Sequence, residues 1–191
     1  PLFCGKGSFY EGGIREPMIA YWPGVTKAGS INRSPVIVED FFPTLLEIAG
    51  YKKLPKTVQK VDGLSFVPAL RGESINGERP LIFHLPNIWG EGSGQGVGYG
   101  PQSAVIQGDW KLIYRHATQK FELYNIAEDI SEKQDLAASM PDKVRELAKL
   151  LSDELRDRDA QMPTYKAGNP VGARAGSEVP LPIDSPKLPK K

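Results

Sequence analysis

A lysine between two glycines, Gly5-Lys6-Gly7, is the pattern with the plainest chemical potential in this 191-residue chain. Glycines permit positive φ and let the backbone come close to a ligand. An ammonium held on such a turn is a compact charge suited to an anion such as phosphate or sulfate. The spacing is not that of a P-loop, because G-x-x-x-x-G-K-[ST] is absent. A glycine-flanked lysine is also a common surface turn, so the spacing alone decides little. Downstream, Glu11 and Arg15 are placed to pair with each other or to brace the loop. Cys4, the single cysteine, excludes an intrachain disulfide and reads as a small packed side chain. His84 ends an apolar stretch, Leu81-Ile82-Phe83-His84, where a hydrogen-bonded core role and a substrate-facing role are both open. His116 lies beside a polar turn and reads as a surface residue.

The elements that must position these groups are short. Met18-Ile19-Ala20-Tyr21-Trp22, closed by Pro23-Gly24, predicts a buried strand ending in a turn, and Val36-Ile37-Val38 a second strand. Asp40 is placed to cap a helix that carries Phe41, Phe42, Leu45, Ile48 and Ala49 on one broad face and stops at Gly50. Asp62-Gly63 reads as a turn ahead of the apolar segment Leu64–Leu70. Leu81–His84, Ser103–Gln107, Trp110–Arg115 and Phe121–Asn125 predict strands. Gly108-Asp109 and the polar turn 117–120 join the last three. In the third run Trp110, Leu112 and Tyr114 alternate with Lys111, Ile113 and Arg115, the pattern of a half-buried strand. Glycines at every even position from Gly90 to Gly100 predict a surface loop, either the border of a cleft or a long insertion. Ser139, three residues before Asp142, begins a capping-box-like start to a helix with Val144, Leu147, Leu151 and Leu155 on one face and Glu154 paired with Arg158. The stretch 163–191 holds six of the seventeen prolines and predicts an extended tail.

Composition narrows the function. Lys and Arg number 24 against 23 Asp and Glu, so the net charge of +1 lacks the footprint of a nucleic-acid or membrane-surface binder. No apolar run approaches the roughly 20 residues that cross a bilayer. The opening Pro1-Leu2-Phe3-Cys4 has neither an initiator Met nor a signal-peptide pattern, which suggests a piece of a longer protein.

The order of small motifs carries more information. Gly5-Lys6-Gly7, Glu11-Gly12-Gly13-x-Arg15-x-Pro17 and Trp22-Pro23-Gly24 are followed by Asp40-x-x-Pro43-Thr44-Leu45-Leu46-x-x-Ala49-Gly50 and Asp62-Gly63-x-Ser65-x-x-Pro68-x-Leu70. Gly108-Asp109-Trp110-Lys111-Leu112, Glu122-Leu123-Tyr124-Asn125 and Glu132-x-x-Asp135-Leu136 complete the series. Over residues 3–155 this succession resembles the later part of the arylsulfatase family.

The resemblance implies an α+β chain. Residues 1–75 would close an alkaline-phosphatase-like α/β domain, 76–162 would form a small antiparallel sheet packed against a C-terminal helix, and 163–191 an extended tail. It implies that Lys6 contacts the sulfate and the catalytic formylglycine, and that His84 lines the substrate cleft. Asn87 stands where a further family histidine is common. The formylglycine motif, Cys/Ser-x-Pro-x-Arg, is absent: Cys4 precedes Gly5-Lys6-Gly7, and Ser139-Met140-Pro141-Asp142-Lys143 ends in Lys at a helix start. The Ca²⁺ ligands would likewise lie upstream, so no metal ligand is assigned in this chain. The implied activity is hydrolysis of an aryl or carbohydrate sulfate ester by the whole protein, periplasmic or secreted. Its partners would be a sulfated small molecule or glycan and the N-terminal catalytic half, and this chain would be inert alone. The alternatives are a non-catalytic sulfated-glycan-binding module and a phosphoester hydrolase or transferase of the same superfamily.

Overall fold

A computed structural model describes residues 1–53, 55–56, 60–75, 77–87, 98–167 and 174–189. They form two compact units, Pro17–Arg79 on the one hand, and Pro1–Glu16 together with Pro80–Lys191 on the other. The predicted 1–75 segment is therefore divided, and its opening residues pack with the sheet.

The larger unit opens with the single-turn helix α1 (Glu11–Ile14). Its centre is an antiparallel meander of β1 (Leu81–Leu85), β2 (Gln102–Gln107), β3 (Trp110–Arg115) and β4 (Lys120–Asn125), in that spatial order. Gln107 pairs with Trp110 across a two-residue loop, with Gly108 at φ +56, as such hairpins require. Arg115 pairs with Lys120 across the next turn. These are the predicted strands, displaced by a residue at most. Residues 88–97, where most of the predicted glycine loop falls, lie outside the described residues.

Register sorts the side chains onto two faces. Val105 pairs with Leu112, and Leu112 with Leu123, so these three share one face with Tyr114 and Phe121. Against it packs the helix Pro141–Asp157, here α4, through Val144, Leu147, Ala148, Leu151 and Leu155. Each of the valine and leucine side chains contributes about 1.5–3 kcal/mol on burial. The predicted Ser139 cap is absent: its hydroxyl donates to the Leu136 carbonyl at 3.1 Å, and no side chain caps α4. Glu154 and Arg158 do pair. The described end of the proline-rich tail packs on this core. The Tyr114 hydroxyl donates to the Pro180 carbonyl at 3.2 Å, the Ile183 amide donates to Ser152 Oγ at 2.9 Å, and Leu181 and Leu188 pack on the cluster.

The other face departs from the predicted half-buried pattern. Lys111 is completely buried and Ile113 is equally enclosed, because Cys4, Phe9 and Tyr10 pack on that side with Ala104 and Tyr124. A strand two-faced in sequence is here covered on both sides.

The unit Pro17–Arg79 contains α2 (Phe41–Ile48) and α3 (Val67–Leu70) and no strand among its described residues. The predicted strand at Met18–Trp22 does not form: Ile19 is 96% and Tyr21 86% exposed. A continuous apolar run becomes a strand only with neighbours on its edges and faces. The turn after it does form, with Gly24 at φ +78 and the Val25 amide donating to the Trp22 carbonyl at 3.0 Å. Val38 begins a 3₁₀ turn, Val38–Asp40, instead of ending a strand. Helix α2 stops at Gly50, φ +92, as predicted, yet Phe41, Phe42, Leu45 and Ile48 face outward while Pro43 and Thr44 are buried. Asp40 does not cap it. Its fully buried carboxylate accepts from the Leu64 amide at 2.8 Å, from the Ile37 amide at 3.0 Å and from Arg79, tying together three stretches of the unit. Gly63 permits this, since any Cβ there would run into the Glu39 carbonyl.

Candidate active site at the Lys6 turn

Lys6 is exposed at the second position of a tight turn. The Ser8 amide donates to the Gly5 carbonyl at 3.1 Å, the Ser8 hydroxyl donates to the same oxygen at 2.9 Å, and Gly7 has φ +94. Positive φ at the third position is the type II pattern, which glycine adopts without strain. The turn rests on α1. The Gly12 amide donates to the Phe3 carbonyl at 3.0 Å, and a methyl on Gly12 would collide with the Phe3 and Cys4 carbonyls. A methyl on Gly13 would come within 2.7 Å of the Gly5 carbonyl. The Glu11-Gly12-Gly13 motif is thus a steric requirement for folding residues 3–8 back over α1.

A buried charge cluster fastens α1 to the sheet. Lys111 Nζ stands 2.6 Å from Glu11 Oε1 and donates to Glu132 Oε1 at 2.8 Å. Glu132 Oε2 accepts from the Glu11 amide at 2.7 Å, and Arg15 Nη1 donates to Glu11 Oε2 at 2.7 Å. Two cations face two carboxylates, so the cluster is neutral. Burial pushes the Glu11 carboxyl up, but Lys111 and Arg15 outweigh it and hold it below its ordinary value. At Glu132 burial prevails over Lys111, and its carboxyl titrates above the usual range. Glu132 also holds a left-handed backbone, φ +50, which its surroundings must impose.

A second network adjoins the first. The Tyr10 hydroxyl donates to Glu122 Oε2 at 2.5 Å, and the Tyr124 hydroxyl donates to the same oxygen at 3.1 Å. Arg115 donates to Glu122 Oε1 at 3.0 Å and to Gln102 Oε1 at 2.5 Å, with its guanidinium 5.1 Å from the Tyr10 ring centre. Burial and Glu122 push the Tyr10 phenol up to about 12 and the Tyr124 phenol well above its ordinary value, so both remain donors. Gly98, φ +93, sits against Cys4 and Tyr10, where a Cβ would come within 2.9 Å of each side chain, and its carbonyl accepts from Gln102 Nε2 at 3.1 Å.

His84 is not brought to this turn. Its register partner Ser103 is on the face that α4 covers, and both ring nitrogens are engaged: Nδ1 with Ser103 Oγ at 2.6 Å, Nε2 with the Gln161 carbonyl at 2.9 Å. A carbonyl only accepts, so Nε2 carries the proton. Ser103 Oγ also lies 2.8 Å from His116 Nε2, so one hydroxyl links the two rings. His116, predicted at the surface, is 1% exposed, stacked edge-on to Tyr114 at 4.9 Å, and its Nδ1 has no partner. Burial, with His84 nearby, pulls its pKa down to about 3. The hydrogen bonds of this histidine pair were invisible in sequence because they run across β1, β2 and the turn after β3.

Lys111, Glu132, Glu122 and Arg115 stood in the motif series or the strand pattern, but sequence alone assigned none of them a role at the site. A usable signal existed in Ile113, an apolar residue on the side of β3 taken as polar. Among the described residues no group of three or more His, Cys, Asp or Glu side chains is arranged to hold a metal ion, and no helix is long and apolar enough to cross a membrane.

The chain is similar to known proteins. The profile of a family described as "N-sulphoglucosamine sulphohydrolase, C-terminal" matches residues 3–161. A sulfatase of Formosa agariphila is 35% identical over 191 residues, covering 95% of this chain and 33% of that protein. N-acetylgalactosamine-6-sulfatase of Sus scrofa is 39% identical over 87 residues, 46% of this chain and 16% of that protein. The crystal structure of Ps i-CgsB in complex with k-i-k-neocarrahexaose superposes with a TM-score of 0.67 at 28% identity, covering 90% of this chain and 35% of that one. The chain spans about a third or less of the length of these relatives. Since the profile runs from the Lys6 turn through the sheet to the end of α4, this chain belongs to the N-sulphoglucosamine sulphohydrolase C-terminal family of sulfatases.

Proposed function

We propose that the whole protein hydrolyses sulfate esters, and that Lys6 meets the sulfate. The observation that carries this reading is an exposed ammonium on a rigid glycine turn, locked by a neutral ionic cluster, at the start of a sulfatase-family chain. Charge builds on the sulfate and the leaving oxygen as the S–O bond breaks, and a fixed cation beside them lowers the barrier. Relatives named for a sulfated amino sugar, and one solved with an oligosaccharide, support a carbohydrate sulfate as the substrate class to test first.

The formylglycine nucleophile and the Ca²⁺ implied by the resemblance would come from residues outside this chain, so the chain alone should be inert. The same missing part is our candidate to cover Ile19, Tyr21, Leu45 and the outward rings of α2, whose exposure is unusual for a folded protein. His84 enters the reading as a cleft residue only if its Nε2 exchanges the Gln161 carbonyl for substrate. An exported location, periplasmic or secreted, accords with the resemblance.

The test is Lys6→Ala in the whole protein, assayed on 4-nitrophenyl sulfate and on 6-sulfated N-acetylgalactosamine. The expected loss in kcat/KM is on the order of 10² or more. A loss below about threefold on both substrates overturns the assignment.

A further inference from the structure

We propose that Lys111 and Glu132 are positioning residues for Lys6, acting through Glu11. This rests on the reading of Lys6 as the sulfate contact. Lys111 is completely buried on a face whose alternation would place it in solvent, and it holds two carboxylates at once. A buried ion pair is poor evidence of added stability, since apolar residues of similar volume commonly serve as well. What this one does is geometric.

Glu132 grips Glu11 at its main chain, accepting from the Glu11 amide at 2.7 Å, while Lys111 grips the Glu11 carboxylate at 2.6 Å. Lys111 and Glu132 are themselves joined at 2.8 Å. The three residues close a ring of contacts that fixes both the place and the orientation of the first residue of α1. From there the constraint reaches the turn without slack. Gly12 donates to Phe3, and Gly13 lies too close to Gly5 and Ser8 to tolerate even a methyl. Moving Glu11 therefore moves Gly5, and Gly5 carries Lys6. A displacement of about 1 Å at a reacting group costs on the order of 10²-fold in rate.

The experiment is a double-mutant cycle in the whole protein with Lys6→Ala, Glu132→Gln and the pair. Two quantities are read: kcat/KM on 4-nitrophenyl sulfate, and the affinity for inorganic sulfate by calorimetry. Glu132→Gln preserves an acceptor for the Glu11 amide but weakens the hold on Lys111. With Lys6 present it should lower both quantities by about ten- to a hundredfold; in the Lys6→Ala background it should change them by less than about threefold. Amide exchange at Gly12 and Gly13 should accelerate in both backgrounds. Equal losses with and without Lys6 overturn the positioning role while leaving Lys6 in place. A Lys6→Ala variant without effect on either readout overturns the underlying reading and this one together. Glu132→Asp, which keeps the charge but shortens the reach, is run in parallel and scored by the same criteria should Glu132→Gln not yield folded protein.

Discussion

Replacing Lys111 by Met gives the sharpest test of the buried cluster. The substitution keeps the length and the apolar stem and removes only the charge. Glu11 retains Arg15 at 2.7 Å, whereas among the described residues Glu132 retains the Glu11 amide, so the injury concentrates on one fully enclosed carboxylate. Breaking a buried pair by removing one partner costs roughly 3–5 kcal/mol, and the surviving Arg15 places this case near 3 kcal/mol. Read as amide exchange across β3 in the whole protein, about 3 kcal/mol is an acceleration of on the order of 10². Adding Glu132→Gln should recover about 2 kcal/mol of the loss, because the amide still serves Glu11 and no lone charge remains.

Acid distinguishes the two variants. The Glu132 carboxyl is already raised by burial and would rise further without Lys111. A carboxyl with a raised folded pKa costs the fold nothing below its ordinary value and weakens it as pH climbs from there to the raised folded value. The Lys111→Met deficit should therefore shrink as pH falls from 7, by up to about 1.4 kcal/mol per unit. The double variant should lack that slope. A single variant costing less than about 1 kcal/mol, or a double variant no better than the single, would refute the account of the cluster.

His116 gives a slope of opposite sign. Its folded pKa, near 3, lies below the ordinary 6.5, so stability is full above pH 6.5 and is lost as pH falls toward 3. His116→Phe should remove up to about 1.4 kcal/mol per pH unit from that acid slope in urea titrations, and an unchanged slope would show that the ring is not the source. Two glycines of the Lys6 segment should respond differently to alanine. Gly12→Ala must displace the Phe3 and Cys4 carbonyls and should cost roughly 1–3 kcal/mol, whereas Gly5 has open space around it and Gly5→Ala should stay within about 1 kcal/mol of the parent by the same unfolding assay.

Where a segment's partners lie nearby in sequence, the sequence was legible. Gly108-Asp109 between alternating runs fixed a hairpin, and the spacing of Val144, Leu147, Leu151 and Leu155 fixed α4 and the face it buries. Met18–Trp22 misled because apolar composition reports a wish for burial without naming the neighbour, and none of the described residues covers Ile19 or Tyr21. Asp40 looked like a cap because a cap needs only the next turn of chain, while two of its three described partners, Leu64 and Arg79, are distant in sequence. At the candidate site, Lys6 stood out through its glycines and the motif order. Lys111 did not, because period-two alternation assigns charged positions to solvent unless something else covers the face, and the cover here comes from around Tyr10.

The strand β3 sends Leu112 and Tyr114 toward α4, and Lys111 and Arg115, with Ile113 between them, to the opposite face. Evolutionary drift should register that partition. Positions 112 and 114 can trade volume with many neighbours and should wander independently among hydrophobic types. Positions 11, 111 and 132 complete one another's charge, so lineages that abandon one should be found to have abandoned all three.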